Sequence, residues 1–118
     1  MTREETSGAA LPRLHVVTDD TVLASPDWKS VAVTVCEAGG SALALHVRGP
    51  RTCGRKIYRL TTDLAPHAKR THALLFVNDR VDVALTNDVD GVHLGVRSLA
   101  LSTVRNLLGP EVWIGVSC

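Results

Sequence analysis

The sequence predicts an α/β fold in which five parallel strands alternate with four helices. Short runs rich in β-branched and aliphatic residues alternate along the chain with longer segments of helical periodicity. Each intervening segment is long enough to cross over between neighbouring parallel strands. The third run is continuously apolar, as a strand covered on both faces of a sheet requires. The predicted strands are 14–18, 42–47, 73–77, 92–94 and 112–116.

The first strand leads into a helix with a clear start. Ser25 provides an N-cap, Pro26 suits the first helical position and Asp27 places an acid in the first turn. The β-branched residues that follow are also compatible with a strand, but the cap and the stop at Gly39 and Gly40 favour a helix. Its predicted apolar face consists of Trp28, Val31, Val35 and Ala38.

The other three helices follow the second, third and fourth strands. The second helix carries an apolar stripe of Ile57, Leu60 and Leu64. Pro66 is expected to kink or end that helix. Residues 80–85 form a short helix, and residues 99–108 form the last one, which Gly109 and Pro110 stop.

The composition is typical of one globular domain. The chain has 118 residues, of which 45% are hydrophobic and 21% charged, and its formal net charge is +1. Basic residues are too sparse for a nucleic-acid interface, and no apolar run is long enough to span a membrane. Residues 1–12 are expected to form a disordered tail with no signal peptide, and residues 13–118 a single domain. We therefore expect a cytoplasmic protein that binds neither nucleic acid nor membranes.

Polar residues follow the third strand, where an α/β sheet commonly carries its functional groups. Asn78 and Asp79 come directly after the apolar run. Because the carboxyl ends of parallel strands meet at one edge of the sheet, these side chains are candidates for ligand binding. Their residue types are also compatible with a turn at Asn78 and a helix N-cap at Asp79.

Arg48 and three histidines also lie on or next to predicted strands. Arg48 is compatible with an ion pair to a neighbouring carboxylate. His15, His46 and His93 are interpreted as histidines of the core or rim, because they lack the paired spacing typical of metal ligands.

Five short motifs occur in order along the chain. They are Leu-His-Val-Val-Thr-Asp at 14–19, Arg48 after the second strand, Val-Asn-Asp-Arg at 77–80, Asp-Gly-Val-His-Leu-Gly at 90–95 and Ile-Gly-Val-Ser at 114–117. In order and spacing they resemble the strand motifs of the thiamine phosphate synthase/TenI family, over residues 13–117. The resemblance implies a role in thiamine biosynthesis and an incomplete TIM barrel of five parallel strands alternating with four helices.

The resemblance assigns substrate-binding roles to four residues. In the synthase branch the second strand carries Gln-x-Arg-x-Lys, which holds the pyrimidine diphosphate, and this chain has His46, Arg48 and Pro50 at those positions. Arg48 is implied to bind phosphate oxygens, and His46 stands where the glutamine would be. Asn78 matches a substrate-binding asparagine, and Ser117 matches a phosphate-binding serine.

Mg²⁺ is the cofactor that the synthase resemblance implies, with Asp79 at the metal-binding position. Ser98 replaces the second family carboxylate, and Pro50 replaces the lysine of the second strand. Both departures resemble the TenI-like branch, whose thiazole tautomerases shift protons on a thiazole carboxylate phosphate without a metal. We therefore favour a tautomerase-type function over a full synthase.

No catalytic residue is identified in this sequence. In the tautomerase relatives the catalytic histidine follows the fifth-strand motif, whereas this sequence ends at Cys118, so we expect the chain alone to be inactive. The alternative is a truncated, non-catalytic remnant that binds phosphate or serves as a partner subunit. The expected partners are a small phosphorylated substrate and either a second copy of the chain or a missing carboxyl-terminal half.

Overall fold

The computed structural model describes residues 10–117 and contains one parallel sheet. Its strands are β1 (Leu14–Val17), β2 (Leu43–Val47), β3 (Leu74–Asn78), β4 (Gly91–Leu94) and β5 (Trp113–Val116). They lie side by side in chain order, and every neighbouring pair is parallel. The predicted α/β class with five parallel strands is therefore confirmed.

Helices connect consecutive strands. They are α1 (Asp20–Ala24), α2 (Trp28–Gly39), α3 (Gly54–Thr71), α4 (Val81–Thr86) and α5 (Leu101–Leu108), with a 3₁₀ turn at Gly40–Ala42. Helices α2 to α5 correspond to the four predicted helices. None of the helices in the described part of the chain is long and apolar enough to cross a membrane.

The two faces of the sheet differ in what they contact. Residues such as Leu45 and Val47 of β2 and Leu75 of β3 are buried in one apolar core together with residues of the helices. Because side chains alternate along a strand, His46 and Phe76 point to the opposite face. That second face carries the residues of the candidate site.

Helix α1 is an addition to the four predicted helices. The side chain of Asp19 accepts a hydrogen bond from the backbone N–H of Val22 at 2.8 Å and caps this helix. With five residues, α1 is too short to show a helical period in the sequence.

The predicted buried face of helix α2 is correct for Trp28 and for Val35, which is partly buried against the core, and wrong for Val31 and Ala38. Trp28 is buried as expected, but Val31 is 51% exposed and Ala38 is exposed. The helix begins at Trp28, two residues later than the Ser25 cap implies, and Asp27 occupies the cap position. The residues that α2 buries follow a spacing of four and are Trp28, Ala32 and Cys36.

Pro66 does not end helix α3, which continues to Thr71. Pro66 and Thr62, whose carbonyl loses its helical partner, are both exposed, so water can reach that carbonyl. The buried residues Leu64 and Ala68 lie on either side of the proline and pack the helix against the core. Packing therefore outweighs the missing hydrogen bond.

The predicted tail, residues 1–12, is only partly covered by the structure. Residues 1–9 lie outside the described residues. Pro12 is buried, and its carbonyl accepts a hydrogen bond from Nε2 of His15 at 2.9 Å. Contacts with the sheet therefore begin before residue 13.

Candidate functional site

Two adjacent hollows lie at the carboxyl end of the sheet. One has a volume of about 180 Å³ and is bordered by the loop after β2 and by Asp79 and Arg80. The other, of about 490 Å³, lies on the sheet face opposite the helices. Arg48 and Asn78 line both hollows.

The larger hollow brings the four predicted substrate-binding residues together. His46, Arg48, Asn78 and Ser117 all line it, from strands β2 and β3 and from the end of β5. The parallel register explains this grouping, because it aligns the carboxyl ends of neighbouring strands. Their roles in binding stay a prediction.

Arg48 makes no ion pair with any carboxylate between residues 10 and 117. The alternative in which Arg48 serves a local salt bridge therefore finds no support in the described part of the chain. Its guanidinium is available to a ligand anion.

His46 forms a hydrogen-bonded pair with His15 inside the hollow. Nδ1 of His15 and Nε2 of His46 are 2.8 Å apart. Since Nε2 of His15 donates to the carbonyl of Pro12, a neutral His15 must accept at Nδ1, and His46 must donate from Nε2. The contact with Pro12 thus selects the tautomer of both rings.

The surroundings of His46 favour its neutral form. The pKa of His46 is lowered to about 4, mainly by burial and in addition by the nearby His15 and His93, while Asn78 acts in the opposite direction. The ring also stacks on Phe76 with centroids 4.6 Å apart. Oδ1 of Asn78 is buried and has no hydrogen bond of ordinary geometry to any described residue.

Ser117 and His93 form a second polar pair at the rim. Nε2 of His93 lies 2.7 Å from Oγ of Ser117. The ring of His93 meets that of His46 edge to face, with centroids 6.2 Å apart. No group of three metal-ligating side chains is present among the residues that the structure describes.

Asp79 is not the N-cap of α4, so that alternative is wrong. Arg80 occupies the cap position, and Asp79 adopts a left-handed conformation with φ of 62°. Oδ1 of Asp79 accepts hydrogen bonds from the N–H of Gly95 at 2.9 Å and from the hydroxyl of Ser98. The bond from Ser98 holds the pKa of Asp79 below its ordinary value, and Gly95 and the charge of Arg48 act in the same direction.

The described site has one of the two carboxylates that the synthase resemblance implies for a magnesium diphosphate site. Ser98 takes the position of the second carboxylate and hydrogen-bonds Asp79 with its hydroxyl. Asp79 is thus a lone carboxylate with one oxygen already accepting two hydrogen bonds. A Mg²⁺ ion that bridges phosphate groups is commonly held by one or two carboxylates, so Asp79 is the residue that would hold it here.

Sequence reasoning missed Phe76, Trp113 and Thr18. Phe76 and Trp113 line the larger hollow, and Thr18 contacts the backbone of Arg48. Alternation along β3 could have placed Phe76 on the same face as Asn78, two residues later. Thr18 directly follows β1, so its position at a strand end could have made it a candidate as well.

A profile of the family described as thiamine monophosphate synthase matches residues 14–118. The chain belongs to this family. Thiamine-phosphate synthases from Chlorobium luteolum and Solidesulfovibrio magneticus are 36% and 40% identical to it over 106 residues, which is 90% of this chain. The matches cover 47% and 49% of those proteins, so the chain spans about half the length of the curated relatives it matches.

A solved structure supports the same assignment to the thiamine monophosphate synthase family. Thiamine phosphate pyrophosphorylase from Pyrococcus furiosus is similar with a TM-score of 0.70 and 30% sequence identity. The match covers 89% of this chain and 49% of that one. The predicted family resemblance and the incomplete TIM barrel are therefore confirmed.

Proposed function

We propose that the chain binds a phosphorylated thiamine precursor at the larger hollow, as a part of a thiamine-biosynthetic barrel. The observation that carries the proposal is the position of Arg48, which borders both hollows without a carboxylate partner among the described residues. Its planar guanidinium suits two phosphate oxygens. The side-chain amide N–H groups of Asn78 can donate to phosphate oxygens, and the hydroxyl of Ser117 lies at the same rim.

A tautomerase-type reaction on a thiazole phosphate is the favoured activity of the complete barrel. A synthase must stabilise a departing diphosphate with cations, yet Pro50 stands at the lysine position and Ser98 binds the lone carboxylate Asp79. Tautomerisation needs a phosphate anchor and a group that moves a proton. In this proposal Arg48 and Ser117 anchor the phosphate, and the proton-transfer residue comes from outside this chain.

The synthase reaction is the second candidate. It is favoured by the names of the similar proteins, which are thiamine-phosphate synthases and a thiamine phosphate pyrophosphorylase. The third candidate is a non-catalytic, phosphate-binding subunit, favoured by the chain's span of about half its relatives. In either case we propose a carboxyl-terminal half or a second copy of the chain as the partner.

Calorimetry with inorganic pyrophosphate and with a thiazole phosphate tests the binding site. Arg48→Ala should weaken binding by about 1.5–3 kcal/mol, as expected for the loss of a charge-assisted hydrogen bond. Asn78→Ala should weaken it less, because a neutral amide is lost. Arg51→Ala is the matched control, since this exposed arginine lies on the same loop but lines neither hollow. Equal affinities of Arg48→Ala and Arg51→Ala, with unchanged circular dichroism, would remove the proposed site.

Enzyme assays distinguish the candidate activities. The chain and a version extended to the length of its relatives are assayed for thiamine phosphate formation with and without Mg²⁺, and for aromatisation of the thiazole tautomer. We expect aromatisation by the extended version and no turnover by the 118-residue chain. Strong Mg²⁺-dependent synthesis would instead establish the synthase, and binding without turnover by both would favour the non-catalytic subunit.

A further inference from the structure

The hydroxyl of Thr18 holds both backbone polar groups of Arg48. It donates a hydrogen bond to the carbonyl of Arg48 at 2.8 Å and accepts one from the N–H of Arg48, also at 2.8 Å. The register between β1 and β2 ends with Val17 opposite His46. The hydroxyl of Thr18 therefore supplies hydrogen bonds to Arg48 just beyond the last paired residues. Thr18 is only 6% exposed, which shields both bonds from water.

Asp20 holds the other end of the same loop. Its carboxylate accepts hydrogen bonds from the N–H of Arg51, at 3.1 and 3.2 Å, and from the hydroxyl of Thr52 at 2.6 Å. The N–H of Thr52 closes a turn by donating to the carbonyl of Gly49 at 3.0 Å. A Cβ atom at Gly49 would lie 2.6 Å from Oγ1 of Thr52 and 2.9 Å from Oδ1 of Asp20, so this packing requires glycine.

We propose that Thr18 and Asp20 are positioning residues that fix the backbone of Arg48 for phosphate binding. Neither of them lines the larger hollow, and each acts through the loop that begins at Arg48. An arginine side chain loses rotamer freedom when it binds a ligand. If the backbone of Arg48 is already fixed, the entropy cost of binding is limited to the side chain. This inference rests on the proposed function of Arg48.

The test compares Thr18→Val with Thr18→Ser, using inorganic pyrophosphate as the calorimetric probe on the whole chain. Valine keeps the shape and removes both hydrogen bonds, so the dissociation constant should rise about tenfold. Serine keeps the hydroxyl, so the dissociation constant of the Thr18→Ser variant should lie within about twofold of that of the unchanged chain. The matched control is Thr61→Val, because Thr61 is fully buried and its hydroxyl has no partner in the described residues.

A double substitution separates action through Arg48 from a general structural effect. In the Arg48→Ala background, Thr18→Val should cause no further loss of binding free energy. Two independent effects would instead give losses that add. If Arg48→Ala weakens binding but Thr18→Val behaves like Thr61→Val, the positioning role is wrong while the proposed function stands. If the unchanged chain does not bind any phosphate ligand, the proposed function fails and this inference fails with it.

Amide hydrogen exchange provides a readout that does not depend on a ligand. Thr18→Val should raise the exchange rate of the Arg48 amide by about tenfold or more and leave the core amide of Val77 unchanged. Asp20→Asn should raise the rate at Arg51 in the same way. If the exchange rate of the Val77 amide rose as much as that of Arg48, the fold as a whole would be destabilised and the positioning role would be wrong.

Discussion

His46 is held in the candidate site by contacts on several sides. His15 accepts its hydrogen bond, Phe76 stacks on its ring, and burial removes its water. Burial favours a neutral imidazole, because protonation would leave a charge without a carboxylate partner in the described site. The ring is therefore a fixed, uncharged part of the wall of the hollow.

The stability of the fold should depend on pH through His46. The ordinary pKa of a histidine is 6.5, and that of His46 in the fold is about 4. Between these pH values the unfolded chain therefore binds more protons than the folded chain. The contribution of neutral His46 to the free energy of unfolding is complete above pH 6.5 and is lost as the pH falls to 4. The total loss is roughly 3 kcal/mol. Urea unfolding at pH 7, 5.5 and 4.5 measures this loss.

The variant His46→Gln is the control for the pH experiment. It removes the titrating group, so its free energy of unfolding should change much less across the same range. Asp79 and Asp82, whose pKa values are lowered, lose their contributions only at still lower pH. If the free energy of unfolding fell equally with pH in both proteins, the pH dependence would not come from His46.

Single residues were predictable where a strand end exposes a polar group. Asn78 was selected in this way, whereas Arg48 and Ser117 were assigned by the family resemblance, and the parallel register brings all three to one hollow. The hydrogen bond between His15 and His46 was not predictable, because it depends on the register between two strands that are 31 residues apart. The left-handed conformation of Asp79 likewise follows from its bonds to Gly95 and Ser98, which belong to a later segment.

Helix α3 contains a proline that packing tolerates. Pro66→Ala should restore the backbone hydrogen bond to Thr62 and increase the free energy of unfolding by about 1–3 kcal/mol. Chemical denaturation measures this gain. Pro26→Ala is the matched control, because Pro26 lies in the turn before α2, where proline restricts the unfolded chain and its loss should slightly destabilise the fold. A loss of stability in Pro66→Ala would contradict the expected gain.

The order and type of the long elements were predictable from hydrophobic periodicity, whereas details set by tertiary packing were not. All five strands appear, and α4 and α5 begin within two residues of their expected positions. In α2 the small residues Ala32 and Cys36 face the core instead of the larger Val31. A helix close to a sheet favours small side chains at the contact, and this preference is invisible to a pattern based on hydrophobicity alone.

The sheet as a whole has two edges that lack a neighbouring strand in the described part of the chain. Strand β1 pairs only with β2, and β5 pairs only with β4. Leu14 and Val116, on these edge strands, are 55% and 47% exposed. Unpaired backbone groups beside exposed apolar side chains favour association with another strand.

The 118-residue chain should therefore self-associate in solution. Sedimentation velocity at several concentrations is expected to give species larger than a monomer. Leu14→Lys should shift the distribution towards monomer, because a charge on an edge strand opposes pairing. Val31→Lys adds the same charge to an exposed helical position and should not do so. A monodisperse monomer that unfolds cooperatively would contradict this expectation.

The sequential order of the strands has a consequence for how the chain acquires its structure. Within residues 10–117, every strand pairs only with the strand immediately before or after it in the chain. Each β-α-β unit can therefore close a short loop as soon as it leaves the ribosome, without waiting for a distant partner. Synthesis from the amino terminus would then build the sheet one strand at a time, with each new strand added at the same edge while the outer edge of β1 stays unpaired.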